Sequence, residues 1–155
     1  MDDPREVAYM RRAIELSEQA LRDGTGRPFG AVIVKDGTII AEGVARQIAE
    51  YDCTWHAEMH AIREAGRALK THDLAGCSIY CSSEPCPMCA FAISLARIEQ
   101  IVFGAPAFPD RLWAGFKYPC TAEQAALPIL QRKLPARQMM TEEALRVLNQ
   151  EKTRP

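Results

Sequence analysis

Two short motifs limit what this chain can fold into more than anything else in it: His56-Ala57-Glu58 and Pro85-Cys86-Pro87-Met88-Cys89. An imidazole and a pair of thiolates are metal-ligating side chains, and residues three apart share a face of a helix, so Cys86 and Cys89 can address one ion. If His56 joins them, the chain must leave the ion and return to it over the 30-residue separation of His56 and Cys86. The elements expected in that interval allow it. A helix over about 55–70, rich in Ala, Glu, Met and Arg, leads out, and the short strand Cys77-Ser78-Ile79-Tyr80-Cys81 returns.

The rest of the chain alternates in the same way. Asp3-Pro4-Arg5-Glu6 reads as an N-cap, a proline at the first helical position and a capping-box glutamate. Behind it Val7, Met10, Ile14, Ser17 and Leu21 recur at helical steps, and Asp23-Gly24-Thr25-Gly26 ends the run. Ala31–Val34 and Thr38–Ala41 are two apolar runs joined through Asp36-Gly37, a pair that tolerates the positive φ of a hairpin turn. A loop over about 44–54 precedes the metal histidine. Pro85 to Arg97 reads as a helix with Pro85 at its first position, and Gln100–Gly104 as a strand. Phe108 to Cys120 is aromatic and irregular; helical signals return from about 121, broken at Pro128 and reopened at Thr141 with Leu145 and Leu148. With no repeat, linker or low-complexity stretch, residues 1–155 read as one α/β domain.

Charge and cysteine usage narrow the function class. Nineteen basic and twenty acidic side chains give a formal charge of -1, which argues against a chain-wide attraction to nucleic acid or anionic membrane. No apolar run reaches the roughly 20 residues that span a bilayer, and the acidic start Met1-Asp2-Asp3-Pro4 is unlike a secretory signal; a cytoplasmic setting is the expectation. The six cysteines then read as reduced thiols: the close pair on a metal, Cys53, Cys77, Cys81 and Cys120 in core or pocket.

Soft thiolates with one imidazole suit zinc, and three protein ligands leave the fourth tetrahedral position for water. The amide groups of a helix's first turn favour thiolate over thiol. Glu58 follows His56 by two residues, and on a continuous helix the two side chains would diverge by roughly 200°. A bend of the backbone is therefore needed to bring Glu58 to the rim as a proton shuttle, a role that a raised carboxyl pKa serves. A redox Cys-x-x-Cys or half of a structural zinc site are the competing readings, but no second such pair exists. His60 and His72 are not expected as ligands.

The His-x-Glu then Pro-Cys-x-x-Cys order is a known zinc-deaminase signature. Here the chain resembles the cytidine deaminase superfamily, in the branch of guanine and tRNA adenosine deaminases. The resemblance covers roughly residues 5–118 and is carried by Pro28-Phe29-Gly30-Ala31-Val32-Ile33-Val34, His56-Ala57-Glu58, Ser83-Glu84-Pro85-Cys86-Pro87-Met88-Cys89, Ala96-Arg97-Ile98 and Ala114-Gly115-Phe116. It implies a three-layer α/β/α sandwich around a five-stranded mixed sheet. It also implies one zinc per subunit on His56, Cys86 and Cys89, with Glu58 catalytic, and a homodimer that can exchange C-terminal segments.

Substrate contacts are implied at Phe29, Ala45, Trp55, Ala57 and Tyr118, and there the chain departs from its relatives. Ala45 stands where the family commonly has an asparagine; Trp55 replaces a small residue and Cys53 a proline. Lys117-Tyr118 stand where guanine deaminases show acidic residues. These changes trade polar readers for aromatic bulk, so a flat heterocycle stacked on Trp55 and Phe29 is one expectation and plain core filling the other. Phe91 and Phe108 read as core, and Glu84 as a cap or supporting group. The expected function is hydrolytic deamination of a free purine-like base. The alternatives are a tRNA adenosine deaminase (Arg132, Lys133, Arg137 and Lys152 give it a little basic character), a deaminase of a nucleoside or another amino-heterocycle, and a non-enzymatic zinc interaction module.

Overall fold

The computed structural model describes residues 3–106, 126–131, 136–141 and 145. The chain divides into two compact units, Met1–Ala114 and Gly115–Pro155. In the first, the order is α1 (Pro4–Asp23), β1 (Gly30–Lys35), β2 (Thr38–Val44), α2 (Ala57–Leu69), β3 (Cys77–Ser83), α3 (Pro87–Leu95) and β4 (Gln100–Ala105). In the second, the described residues include a 3-10 turn at Ile129–Gln131 and helical backbone at Thr141 and Leu145.

The sheet is mixed, in the order β2-β1-β3-β4: β1 runs antiparallel to both β2 and β3, and β3 parallel to β4. Four strands, not five, are present among the described residues. Both central strands are buried on two faces, which is why β1 reads as an unbroken apolar run. Ala31 and Ile33 of β1 and Cys77, Ile79 and Cys81 of β3 pack with Ala57, Ala61 and Ala65 of α2 and Ile93 of α3. Val32, Val34 and Tyr80 point the other way, onto Leu16 of α1. The hairpin turn is as expected, with φ of 49° at Asp36 and 76° at Gly37.

α1 departs from the sequence reading in an instructive way. Its buried residues are Ala13, Leu16 and Ala20, whereas Val7, Ile14 and Leu21 are exposed. The face that docks is the small one, because α1 lies almost on the strand: a β-carbon at Gly30 would stand 2.2 Å from the Ala13 carbonyl oxygen. The capping box is also incomplete. Asp3 accepts from the Arg5 amide at 2.9 Å, but Glu6 takes the Tyr80 hydroxyl at 3.0 Å. A second close approach governs the site. A β-carbon at Gly43 would lie 2.1 Å from the Ala57 carbonyl oxygen, so only glycine lets the end of β2 meet the first turn of α2.

Candidate metal centre

Both motifs sit at helix N-termini, and each helix begins two residues later than the sequence reading places it. α2 starts at Ala57 with His56 as its N-cap (φ −75°, ψ 159°), and α3 starts at Pro87 with Cys86 as its N-cap (φ −67°, ψ 164°). The expected helix over Pro85 to Arg97 is corrected accordingly: Pro87, not Pro85, takes the first helical position that suits proline. The extended cap backbone also resolves the 200° divergence. His56 is off the helical wheel, so its ring and the Glu58 carboxylate can serve one site.

His56 Nδ1 lies 3.5 Å from Cys86 Sγ and 3.5 Å from Cys89 Sγ. All three donor atoms fall within 4.8 Å of one another. Bonds of about 2.05 Å to nitrogen and 2.3 Å to sulfur at a tetrahedral angle put the donors roughly 3.6 Å apart, so this spacing is the edge of a zinc tetrahedron. The donor set fits the ion, and His56, Cys86 and Cys89 can hold one zinc. His60 and His72 lie outside the cluster.

The electrostatics suit a cation and a proton acceptor. The Cys86 thiol is pulled down to about 4, chiefly because the Cys89 thiol donates to it and then because the His56 ring does. Cys89 is pushed up by the same bond and by burial. His56 is raised, first by its bond to Cys86. Glu58 is the single charged residue in the buried class among the described residues, 7% exposed, and burial raises its pKa; the Cys89 thiol is within hydrogen-bonding reach of it. A buried carboxyl with raised proton affinity beside the metal ligands is equipped to carry a proton.

The substrate-side candidates are placed unevenly. Ala45 and Ala57 are fully packed, at 0% and 1% exposure, and the Ala45 amide donates to the Phe29 carbonyl at 3.1 Å. Phe29 is half-buried against the core between sheet and α2. The Trp55 ring lies on the flank of α2, edge-on to His60 with centroids 5.5 Å apart and beneath the Arg63 guanidinium at 5.2 Å. Tyr118, Phe108 and Cys120 lie outside the described residues. Phe91 is not core: it is 68% exposed on α3. Cys77 and Cys81 are buried, but Cys53 is exposed. Glu84 is exposed; its amide donates to the Ala105 carbonyl at 2.8 Å, bridging the ends of β3 and β4. His60 and Arg63 were legible as the i+4 and i+7 neighbours of His56, a spacing that marks one flank of α2, yet their engagement with the preceding loop left no sequence signal. A groove of about 700 Å³ along β2 and α2, lined by Ile39, Glu42, Glu64 and Arg67 among others, includes none of the metal ligands or candidate substrate contacts.

Comparisons with known proteins agree with this geometry. The family described as the cytidine and deoxycytidylate deaminase zinc-binding region matches residues 4–105. The chain is 42% identical over 137 residues to a guanine deaminase of Bacillus subtilis, covering 88% of this chain and 87% of that protein. It is 45% identical over 97 residues to a tRNA-specific adenosine deaminase of the same organism, covering 63% and 60%. The X-ray structure of guanine deaminase from Bacillus subtilis superposes with a TM-score of 0.86 at 36% identity, over 100% of this chain and 96% of that one.

Proposed function

This chain belongs to the cytidine and deoxycytidylate deaminase family of zinc-dependent hydrolases acting on C–N bonds, and from that premise we propose that it deaminates a free purine-like base, guanine being the first candidate. One observation carries the purine reading. The likeness to the guanine deaminase spans 88% of the chain, whereas the likeness to the tRNA deaminase spans 63%.

The reaction exchanges an exocyclic amine for a carbonyl oxygen, consuming one water and releasing ammonia. Zinc on His56, Cys86 and Cys89, when bound, would supply a water of lowered pKa as the nucleophile. Glu58 carries two protons in turn: the first proton of the attacking water goes to a ring nitrogen, and the second, from the hydroxyl then on the ring carbon, goes to the amine, which leaves as ammonia while the carbonyl forms. Burial raises the proton affinity of Glu58, the direction that both transfers need. Phe29, Ala45, Trp55, Ala57 and Tyr118 form the substrate wall in this reading. We further infer the three-layer, five-stranded form of the family fold and a homodimer. The exposed Phe91 and Leu95 on α3 and Ile101 and Phe103 on β4 support an apolar interface between copies.

Ammonia release on a panel of guanine and its analogues, cytosine, adenine, pterins and triazines tests the reading. Glu58→Gln should lower kcat by about 10²–10⁴-fold and still hold one zinc per chain. A zinc-loaded wild-type protein silent on the whole panel overturns the proposal. The match to tRNA deaminases sustains a second reading, tested by a gel shift with an anticodon stem carrying adenosine at the wobble position; the purine-base reading expects no shift.

A further inference from the structure

His60 does no chemistry in the reaction above, yet it occupies a particular place. α2 carries His60 and Arg63 three residues apart on one flank, one turn after His56 at its N-cap. His60 Nδ1 lies 3.2 Å from the Val44 carbonyl oxygen and 3.3 Å from the Val44 amide nitrogen. Either tautomer therefore bonds the last residue of β2: one donates to the carbonyl, the other accepts from the amide. Val44 leads directly into Ala45, whose amide is bonded to Phe29. The other edge of the same unit is closed by the Arg46 amide, which donates to the Trp55 carbonyl at 3.0 Å. The Trp55 ring, which precedes the metal histidine, is seated on His60 and covered by Arg63.

Three polar atoms are enclosed around this stack. Trp55 Nε1, Arg63 Nη1 and Gln47 Oε1 are all buried with no hydrogen-bond partner among the described residues. The ring contacts of Trp55 with His60 and Arg63 and the loop's backbone hydrogen bonds converge beside them. His60 is where those contacts meet the strand end.

We propose that His60 is a positioning residue for substrate binding: through Val44 it sets the distance between the Phe29–Ala45 wall and the metal centre, and it seats Trp55 beside that wall. The inference rests on the deaminase reading of the metal centre and not on which heterocycle is deaminated. It separates two jobs along α2. His56 at the cap holds the ion, and His60 one turn later holds the wall, so damage to the second should change how substrate fits without changing the ion.

The test compares wild type, His60→Ala and His60→Gln, the last keeping a side-chain amide that can reach Val44. Three readings are taken on zinc- and cobalt-loaded protein: steady-state kinetics on whichever base of the panel wild type turns over, the cobalt visible spectrum, and amide hydrogen exchange over residues 43–47. His60→Ala should raise KM about tenfold or more with kcat within about threefold, leave the cobalt spectrum unchanged, and speed exchange at Val44 and Ala45. His60→Gln should recover most of the KM. Unchanged exchange at 44–45, or lost kcat or an altered cobalt spectrum at unchanged KM, overturns the proposal. Wild-type protein inactive on the purines alone overturns the choice of purine base, while exchange in His60→Ala still decides the tether.

Discussion

α1 begins in one way and the pair α2 and α3 in another. At α1 the N-cap is Asp3, whose carboxylate accepts from the Arg5 amide, with Pro4 next and Glu6 in the first turn. At α2 and α3 the cap positions hold His56 and Cys86, and neither side chain makes a capping hydrogen bond. Each missing cap costs about 1 kcal/mol of helix stability. Both side chains turn toward each other instead, with Cys86 Sγ 3.5 Å from His56 Nδ1. Two poorly capped helix ends facing one another, in a chain that caps its first helix properly, mark the place where structure has been given over to chemistry. The first-turn amides of α3 favour the anionic form of Cys86, which the Cys89 thiol stabilises by donating to it and which a cation would neutralise.

The largest effect that would break this contrast concerns the ion. If the bare caps of α2 and α3 are completed by zinc, metal should stabilise the folded chain by about 4 kcal/mol at a free concentration a thousand times the Kd. His56→Ala should abolish that increment, measured as the difference in thermal unfolding between zinc-loaded and chelated protein. A full zinc-dependent increment surviving in His56→Ala would place the ion elsewhere.

The next effect sharpens the contrast through pH. In the zinc-free protein Cys86 is lowered from 9.0 to about 4, chiefly by the Cys89 thiol. A group whose folded pKa is depressed contributes stability that is complete above its unfolded pKa and declines as pH falls toward the folded one. The Cys86 contribution should therefore shrink from about pH 9 down to about pH 4. Cys89, raised, opposes it only where an unfolded thiol would ionise, at the alkaline end. Thiolate absorbance and alkylation mapped by mass spectrometry should show Cys86 reacting with a midpoint far below its ordinary value of 9.0. An ordinary alkaline midpoint at Cys86 would remove the electrostatic half of the comparison.

How much of this was legible in the sequence follows from what each feature depends on. The cluster of His56, Cys86 and Cys89 was, because metal chemistry admits few side chains at few spacings, and so was the Asp36-Gly37 turn, because few residues accept positive φ. The start of α3 was misplaced by two residues because Pro85 and Pro87 both suit a helix entry, and only the extended φ,ψ at Cys86 decides between them. The buried face of α1 was missed because apolar size was taken as the signal. Ala13 and Ala20 are buried by how closely the helix approaches Gly30, a property of the strand and not of the helix. Trp55 and His60 were undetermined for a related reason. Their contacts join a loop, a strand end and a helix flank, and no periodicity within one element records them.

The smallest effect tests the other side of the contrast. Asp3 caps α1 with the 2.9 Å bond to the Arg5 amide, and pairs with the Arg5 guanidinium at 2.9 Å. Both groups are well exposed, so salt screens the pair and its share is minor. Asp3→Ala should thus lower the unfolding temperature only slightly, and by the same amount in zinc-loaded and chelated protein. The equality matters more than the size. α1 packs on the sheet face opposite α2 and α3, through Leu16 against Val32, Val34 and Tyr80, while the metal ligands rise from the other face. Unequal losses with and without zinc would show that fraying at α1 reaches the centre. The route open to it is the Glu6–Tyr80 hydrogen bond, since the strand that carries Tyr80 leads on to Cys86. Equal losses would leave the first helix a structural support whose cap is independent of the ion.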